Sequence, residues 1–247
     1  MSGQDVDAAA AELGKRIARA RRPCALTGAG ISEESGVPVF RGPGGMWRER
    51  RPEDLATPEA FRRDPLEVWE WYDWRRGLIA SARPNAGHRA LAALEASNPA
   101  FTLITQNVDG LHRRAGSRRV LEVHGSLWRV RCTACRREAD DERVPLPLPP
   151  ACGACGGLLR PAVVWFGEML SPTVFGAAWE AVKSCDLLLS IGTSGVVEPA
   201  ASLVRVAAER GTSILEINPR PSALSSVADR VFPYKAADLL GRLKPAS

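Results

Sequence analysis

The chain has 247 residues, 45% of them hydrophobic, which is enough to bury a substantial core and excludes disorder throughout. No apolar run approaches the roughly 18 residues of a membrane span. The net charge of +5 is spread along the sequence, which favours a solvated basic face over a nucleic-acid site and suits anionic ligands equally well. Acidic residues near the start argue against a targeting peptide, and Cys24 and Cys185 are interpreted as buried thiols of a reducing compartment. We therefore expect a soluble, cytoplasmic protein.

Short apolar runs and amphipathic helical segments alternate along the chain. Strands are predicted at 24–27, 101–105, 121–123, 162–166, 187–191, 213–217 and 231–232. Helices are predicted at 85–97, 174–184 and 198–210, in addition to a first helix rich in alanine. This alternation predicts an α/β fold, in which a mainly parallel sheet is covered by helices on both faces.

Two stretches interrupt the alternation. Residues 47–83 carry four tryptophans in a helical pattern, and residues 128–160 contain paired cysteines and a proline-rich segment. We predict that both are insertions that pack together into a small domain, formed by residues 46–83 and 127–160. The large domain would comprise residues 1–45, 84–126 and 161–247, with hinges near the glycines at 42–45 and at Gly125.

The most specific motif is a pair of Cys-x-x-Cys turns separated by sixteen residues. Its four cysteines are Cys132, Cys135, Cys152 and Cys155. Four thiolates in tetrahedral geometry suit zinc, and they close the coordination sphere, so no position remains for a reacting water. The sequence therefore predicts one structural zinc ion and a catalytic site elsewhere.

A glycine-rich turn follows the first predicted strand. It contains Gly28, Ala29, Gly30 and Ser32, and such a turn lets backbone N–H groups approach a pyrophosphate. The dinucleotide fingerprint is incomplete because residue 33 is glutamate, so a plain tight turn is about as consistent with the motif. Phe40 and Arg41 follow in a loop rich in Gly and Pro, where Arg41 is either a cation near phosphates or a solvated arginine.

Polar residues also follow three other predicted strands. They are Gln106, Asn107 and Asp109 after 101–105, Gly192, Thr193 and Ser194 after 187–191, and Asn218 after 213–217. In open parallel sheets, ligands bind at the carboxyl ends of the strands, although Asn and Asp there also cap helices. Three such turns on one edge favour a cofactor site.

Histidine is scarce. We expect structural roles for His88 and His112, whereas His124 ends the strand at 121–123 and precedes Gly125 and the cysteine module. An imidazole at a cleft between two domains is suited to general base catalysis at neutral pH.

Taken together, these motifs resemble the sirtuins, the NAD-dependent protein lysine deacylases. The matching segments are GAGIS at 28–32, ESG at 34–36, FR at 40–41, QNVDGLH at 106–112, EVHG at 122–125, the cysteine pairs, VWFGE at 164–168 and GTS at 192–194. They cover the chain from residue 24 to about 237. One departure is Glu33, where the family often has a small residue.

The resemblance implies a Rossmann-like NAD domain, a smaller helical and zinc domain, and acyl-lysine entering between them. His124 would be the general base, with Asn107 and Asp109 on the nicotinamide and ribose side. Gly192, Thr193, Ser194 and Asn218 would hold the adenosine half, with Ala236 over the adenine. The backbone of Val164, Trp165 and Phe166 would pair with the substrate peptide by strand addition. The implied products are nicotinamide, O-acyl-ADP-ribose and free lysine.

Tyr72 and Arg75 lie three residues apart in the helical insertion, a spacing that puts them on one face of a helix. A phenol and a guanidinium together can bind a carboxylate, while the alternative is a solvated arginine beside a core tyrosine. The pair resembles the Tyr-x-x-Arg of the sirtuin subgroup that removes succinyl and malonyl groups, and Ala56 matches the small residue of its acyl pocket. The resemblance implies desuccinylase and demalonylase activity, with acetyl as a further substrate.

Two rival functions remain open at this stage. A mono-ADP-ribosyltransferase would use the same cofactor and the same cleavage step. A zinc-ribbon nucleic-acid binder is the other, but the cysteine module carries only a mild positive charge, so we expect no direct nucleic-acid or membrane partner.

Overall fold

The structure is a computed structural model that describes residues 3–38 and 52–243. The predicted cofactor residues Phe40 and Arg41 lie outside the described residues. Within them, no helix combines the length and the apolar character that a membrane crossing requires.

A six-stranded, entirely parallel sheet forms the centre of the large domain. Its strands are β1 (Pro23–Thr27), β2 (Thr102–Thr105), β3 (Val120–Glu122), β7 (Leu187–Ile191), β8 (Ser213–Ile217) and β9 (Arg230–Phe232), in the spatial order β3-β2-β1-β7-β8-β9. β1 and β7 are buried along their whole length, as expected for strands covered on both faces. The predicted α/β fold is confirmed, and each of these strands begins and ends within about one residue of its prediction.

Helices cover both faces of this sheet. They are α1 (Gly3–Arg19), the short α2 (Gly30–Glu33), α6 (Ala86–Ser97), α7 (Leu111–Arg114), α8 (Pro172–Ser184), α9 (Ser202–Glu209) and α10 (Ala236–Leu240). α6 begins where the Asn85 side chain accepts hydrogen bonds from the N–H groups of Gly87 and His88, and α8 begins where Ser171 caps the N–H of Val174. α9 begins four residues later than the predicted helix at 198–210, because residues 197–201 form turns instead.

A second, antiparallel sheet carries the cysteine module. It consists of β4 (Gly125–Cys132), β5 (Glu138–Asp140) and β6 (Leu159–Val163), in the order β5-β4-β6. The apolar run at 162–166 was predicted as a buried strand, but β6 ends at Val163. Its register with β4, from Gly125 opposite Val163 to Cys132 opposite Leu159, sets where the strand stops.

The first insertion forms three helices, and the longest of them packs on this small sheet. They are α3 (Pro52–Leu55), α4 (Pro58–Arg63) and α5 (Pro65–Ser81). The Thr57 and Asp64 side chains cap α4 and α5, and a proline follows each cap at the first helical position. Trp69 of α5 donates its indole N–H to the carbonyl of Leu159 in β6 at 2.7 Å.

A buried arginine joins the same helix to the cysteine module. Arg76 of α5 donates to the carbonyls of Leu127, Asp141 and Arg143, and its guanidinium lies beside the Asp141 carboxylate. The helical insertion and the zinc module therefore share one core, to which Trp69, Leu127 and Leu159 belong. β4 and β6 cross the predicted domain boundaries after residues 126 and 160, so the two domains are continuous through these strands.

Candidate active site at the carboxyl edge of the sheet

One cavity of about 590 Å³ lies where the carboxyl ends of the parallel strands face the small sheet. Its size is typical of a small-molecule site. Most of the predicted site residues line it. They are Gly28, Ala29, Gly30, Ala56, Tyr72, Arg75, Gln106, Asn107, His124, Val164, Trp165, Phe166, Gly192, Thr193, Ser194 and Asn218.

The glycines of this edge allow two loops to interlock. A Cβ atom on Gly28 would lie 2.7 Å from the carbonyl oxygen of Gly192, and one on Gly30 would lie 2.8 Å from the Gly192 Cα. Gly192 itself has φ +59°, and a Cβ there would lie 2.6 Å from the N of Ile31. The N–H of Gly30 donates to the carbonyl of Gly192 at 2.9 Å, so the loops after β1 and β7 pack directly against each other.

Side-chain amides tie the neighbouring loops to this surface. Gln106 donates to the Thr193 hydroxyl at 3.0 Å, and Asn218 donates to the Thr193 carbonyl at 2.9 Å. The Asn107 amide nitrogen is held by the carbonyl of Gly28 at 3.0 Å and the hydroxyl of Ser32 at 3.2 Å. The four predicted turns, which follow β1, β2, β7 and β8, are thus connected directly.

Asp109 and Ser32 form a buried pair beside the cavity rather than on its wall. The Ser32 hydroxyl donates to one oxygen of the Asp109 carboxylate at 2.7 Å, and the N–H of Leu111 donates to the other at 2.8 Å. Burial raises the pKa of Asp109, and these two hydrogen bonds act in the opposite direction. A small void bordered by Ser32, Asn107 and Asp109 adjoins this pair.

The small sheet holds Asp109 from the other side. The indole N–H of Trp128 in β4 donates to the Asp109 carbonyl at 2.7 Å, and the N–H of Leu127 donates to the Val108 carbonyl at 2.9 Å. A side chain on Gly110, whose φ is +73°, would collide with the Trp128 ring. Trp128 therefore requires glycine at the next position of the loop.

His124 is placed between the two sheets. Its Nδ1 atom lies 3.0 Å from the carbonyl oxygen of Gln106, so Nδ1 carries the proton and Nε2 is left with a lone pair. Burial lowers the pKa of His124, while the bond to the carbonyl opposes the shift. The ring is therefore neutral at neutral pH, as a general base must be. His88 and His112 are buried side by side away from the cavity, with ring centroids 4.8 Å apart.

Tyr72 and Arg75 both line the cavity from α5 and both are buried, with exposures of 1% and 2%. The alternative of a solvated Arg75 is therefore wrong. The Arg75 guanidinium lies 4.6 Å from the centroid of the Trp71 ring and 5.4 Å from that of Tyr72. Burial lowers the pKa of Arg75 and raises the pKa of Tyr72, because removal from water disfavours the charged form of each group.

Two predicted contacts are placed differently from expectation. Ala236 does not line the cavity but belongs to the core packed beneath the large sheet. The N–H groups of Val164, Trp165 and Phe166 are donated within the chain, to the carbonyl of His124, the carboxylate of Glu168 and the carbonyl of Ala56. These three N–H groups are therefore already bonded along the segment where a peptide strand was expected to pair.

The sequence also left some lining residues unnoticed. They are Glu198 and Pro199 after the loop of β7, and Pro219, Arg220 and Pro221 after Asn218. The second group follows a strand at the same carboxyl edge and is rich in turn-forming proline, so the reasoning that selected Asn218 could have included it.

The four cysteines of the module meet as the sequence predicts. Their sulfur atoms all lie within 4.8 Å of one another, with 3.5 Å between Cys132 and Cys155 and 3.8 Å between Cys135 and Cys152. Tetrahedral zinc with Zn–S bonds of about 2.3 Å places neighbouring sulfurs about 3.8 Å apart, so the donor set and its geometry fit one structural zinc ion. Because these four thiolates fill the coordination sphere, the zinc ion takes no part in chemistry at the cavity.

The fold and the site define an α/β protein with a Rossmann-like sheet, whose carboxyl edge faces the helical insertion and the end of the small sheet across a cleft that contains a neutral histidine. The chain belongs to the Sir2 family: the model of the "Sir2 family" matches residues 28–199. It is 54% identical to the NAD-dependent protein deacylase of Aquifex aeolicus over 213 residues, which is 86% of this chain and 89% of that protein.

Solved structures agree in fold over nearly the whole chain. A Sir2 homologue crystallised as an NAD complex has a TM-score of 0.89 and 49% identity, covering 94% of this chain and 91% of its own. A Sir2 protein with a deacetylated p53 peptide and 3′-O-acetyl-ADP-ribose has a TM-score of 0.86 and 30% identity, covering 94% and 96% of the two chains.

Proposed function

We propose that this chain removes acyl groups from lysine side chains of proteins with NAD as co-substrate, and that it prefers succinyl and malonyl groups. The products would be nicotinamide, O-acyl-ADP-ribose and free lysine. The relatives' printed names support NAD-dependent deacylation, and one neighbouring structure is an NAD complex. The acyl preference has its own support, in the two buried residues Tyr72 and Arg75 that share one cavity with His124.

Several features of the cavity fit a dinucleotide. The loops at 28–30 and 192–194 line the cavity at the carboxyl ends of the parallel strands, where ligands bind in open sheets, and Asn218 and Gln106 lie at the same edge. NAD, when bound, supplies an electrophilic ribose carbon and nicotinamide as its leaving group. Asn107 would lie at the nicotinamide end, because it lines the cavity together with His124, and Ser32 would support it there through its hydrogen bonds to Asn107 and Asp109.

His124 would hold and move the proton of the reaction. With Nδ1 held by the Gln106 carbonyl, Nε2 is the atom that accepts a proton from a hydroxyl in the cleft. The positions of Val164, Trp165 and Phe166 on the cavity wall support peptide binding there.

The acyl preference follows from charge. A guanidinium that is 2% exposed has lost most of its hydration, and an anionic acyl tail in the cavity would add a charge-assisted hydrogen bond to it. The neutral phenol of Tyr72 adds a second hydrogen-bond donor for the same carboxylate. An acetyl group has no carboxylate, so it would fit the cavity without using either residue.

The test compares kcat/KM for succinyl-lysine and acetyl-lysine versions of one peptide, before and after Arg75→Met. Loss of a charged hydrogen bond costs about 1.5–3 kcal/mol, so succinyl turnover should fall by about 10- to 150-fold while acetyl turnover changes little. Arg76→Met is the matched control, since it removes a buried arginine from the same helix that binds carbonyls of the zinc module. It should reduce stability and leave the succinyl-to-acetyl ratio unchanged.

Two outcomes would contradict the proposal. Equal losses on both peptides in Arg75→Met would remove the carboxylate role. Transfer of label from NAD to protein without consumption of acyl-lysine would instead support a mono-ADP-ribosyltransferase.

A further inference from the structure

The side chains of Trp165 and Tyr72 are joined by a buried hydrogen bond. Nε1 of Trp165 lies 2.9 Å from the hydroxyl oxygen of Tyr72. An indole nitrogen only donates, so the phenol oxygen is the acceptor and its own proton remains for another partner. Among residues 3–38 and 52–243, no protein group accepts that proton at hydrogen-bond distance.

Two side chains pack against the ring of Trp165. The guanidinium of Arg160 lies 3.4 Å from the centroid of the indole, and the Phe61 ring packs at a centroid distance of 5.2 Å. Arg160 donates to both oxygens of the Glu168 carboxylate, at 2.5 and 2.9 Å, and to the Val163 carbonyl at 2.9 Å. Because Glu168 also accepts the backbone N–H of Trp165 at 2.9 Å, the indole has little freedom to turn away from Tyr72.

We infer that Trp165 is a positioning residue for acyl selectivity: its indole N–H occupies the acceptor side of the Tyr72 hydroxyl and directs the phenol's proton to the carboxylate of an acidic acyl group beside Arg75. This inference rests on the function proposed above. Without the indole, the hydroxyl is free to rotate, and its proton has no fixed direction.

Two further considerations support it. A phenol that accepts a hydrogen bond becomes a stronger donor, since hydrogen bonds in a chain polarise one another. Burial also raises the pKa of Tyr72, so the phenol keeps its proton at neutral pH and donates it to an anion. An acetyl group has no carboxylate to accept this hydrogen bond. The effect of Trp165 should therefore appear in the selectivity between acyl groups.

The experiment is a double-mutant cycle on the ratio of kcat/KM for succinyl-lysine and acetyl-lysine peptides. Trp165→Phe keeps an aromatic ring between Arg160 and Phe61 but removes the donor, and one hydrogen bond is worth about 3- to 10-fold in that ratio. Most of the change should appear in the KM of the succinyl peptide. In the Tyr72→Phe background, where no hydroxyl remains to be directed, Trp165→Phe should leave the ratio unchanged.

Trp69→Phe is the matched control. It removes a buried indole N–H bond of 2.7 Å, to the carbonyl of Leu159, without touching Tyr72. It should reduce thermal stability about as much as Trp165→Phe and leave the ratio as in wild type. If Trp165→Phe does not fold, Glu168→Gln takes its place, because it weakens the ion pair that holds Arg160 against the indole and should lower the ratio in the same direction.

The outcomes separate this inference from the proposed function. A ratio that stays constant in Trp165→Phe, or that falls equally in the presence and absence of the Tyr72 hydroxyl, would overturn the inference alone. A wild-type enzyme without succinyl preference, unchanged by Arg75→Met, would overturn both. A fall that disappears in the Tyr72→Phe background supports the inference.

Discussion

Nδ1 of His124 lies 3.0 Å from the carbonyl oxygen of Gln106, so a strand-end carbonyl on β2 selects the tautomer of a histidine that follows β3. The two strands are parallel neighbours, with Thr105 opposite Glu122, and the contact follows directly from that register. A backbone carbonyl can only accept a hydrogen bond, and no substitution of the Gln106 side chain removes it. The imidazole is therefore oriented by the sheet itself.

The pH dependence of turnover should report His124. Burial lowers its pKa from the usual 6.5, so Nε2 is unprotonated at pH 7 and above. We expect kcat/KM to be level from pH 7 to 8 and to fall at lower pH, as a proton occupies Nε2. His124→Asn should reduce kcat by about 10²- to 10⁴-fold and remove this acidic limb. An acidic limb that persists in the residual activity of the variant would assign it to another group.

Gly125 determines where His124 can lie. Its φ is +77°, and a Cβ there would lie 2.1 Å from the carbonyl oxygen of Ala162 on β6. Gly125→Ala should cost roughly 1–3 kcal/mol of unfolding free energy and reduce kcat more than tenfold, because the backbone must move next to the base. Gly211→Ala is the matched control, with φ +72° and open space around it. It should cost about 1 kcal/mol, measured by urea unfolding, and keep kcat; similar losses of kcat in both variants would contradict the argument.

Much of this site follows from one rule about parallel sheets. Residues 28, 107, 124, 193 and 218 each follow a predicted strand, and all of them line the same cavity. The rule works because the carboxyl ends of parallel strands share an edge, whatever their order in the sheet. The cysteine pairs were equally informative, since a thiolate set at that spacing has few alternatives.

Other features depend on contacts that no local pattern reveals. The interlocking of Gly28 with Gly192 and the hydrogen bond between Tyr72 and Trp165 join residues that are far apart in sequence. The apolar run at 162–166 shows a further limit. Its composition is that of a buried strand, yet only its first residues pair with β4, while Trp165 turns to the cavity. The cytoplasmic location stays a prediction.

Removal of the metal should unfold the small domain before it affects chemistry. We expect metal analysis by plasma emission spectroscopy to find one zinc ion per chain. Cys152→Ser should lose this ion together with a large part of the thermal stability, since zinc binding and folding are coupled. Cys185→Ser is the control: its buried thiol lies outside the cluster and donates to the Val182 carbonyl. It should retain the metal. A Cys152→Ser protein that is folded and active without metal would contradict a structural role.

Acid should destabilise the protein through His88. Burial, with a smaller effect from Arg89, lowers its folded-state pKa to about 4, against 6.5 when unfolded. Between these two pH values the unfolded chain binds more protons than the folded chain. The contribution of neutral His88 to the free energy of unfolding, roughly 3 kcal/mol, is therefore complete above pH 6.5 and is lost as the pH falls towards 4. His88→Gln should therefore flatten the dependence of unfolding free energy on pH across this window. Zinc release at low pH affects the wild type and His88→Gln alike, so the measurement is the difference between their slopes of unfolding free energy against pH. Equal slopes would contradict the role of His88.

Ala56 should determine the size of acyl group that the cavity accepts. Ala56 lines the cavity with Tyr72 and Arg75, and its carbonyl accepts the N–H of Phe166 at 2.9 Å, which fixes the loop in place. Ala56→Leu adds three carbon atoms to that wall, and a packed wall does not relax without cost. We expect kcat/KM for succinyl-lysine to fall at least tenfold more than for acetyl-lysine, whereas Ala56→Ser, which hardly changes the volume, should keep the preference. If Ala56→Leu lowers both substrates by the same factor, the side chain does not face the acyl group, and the extra volume acts on the Phe166 loop instead.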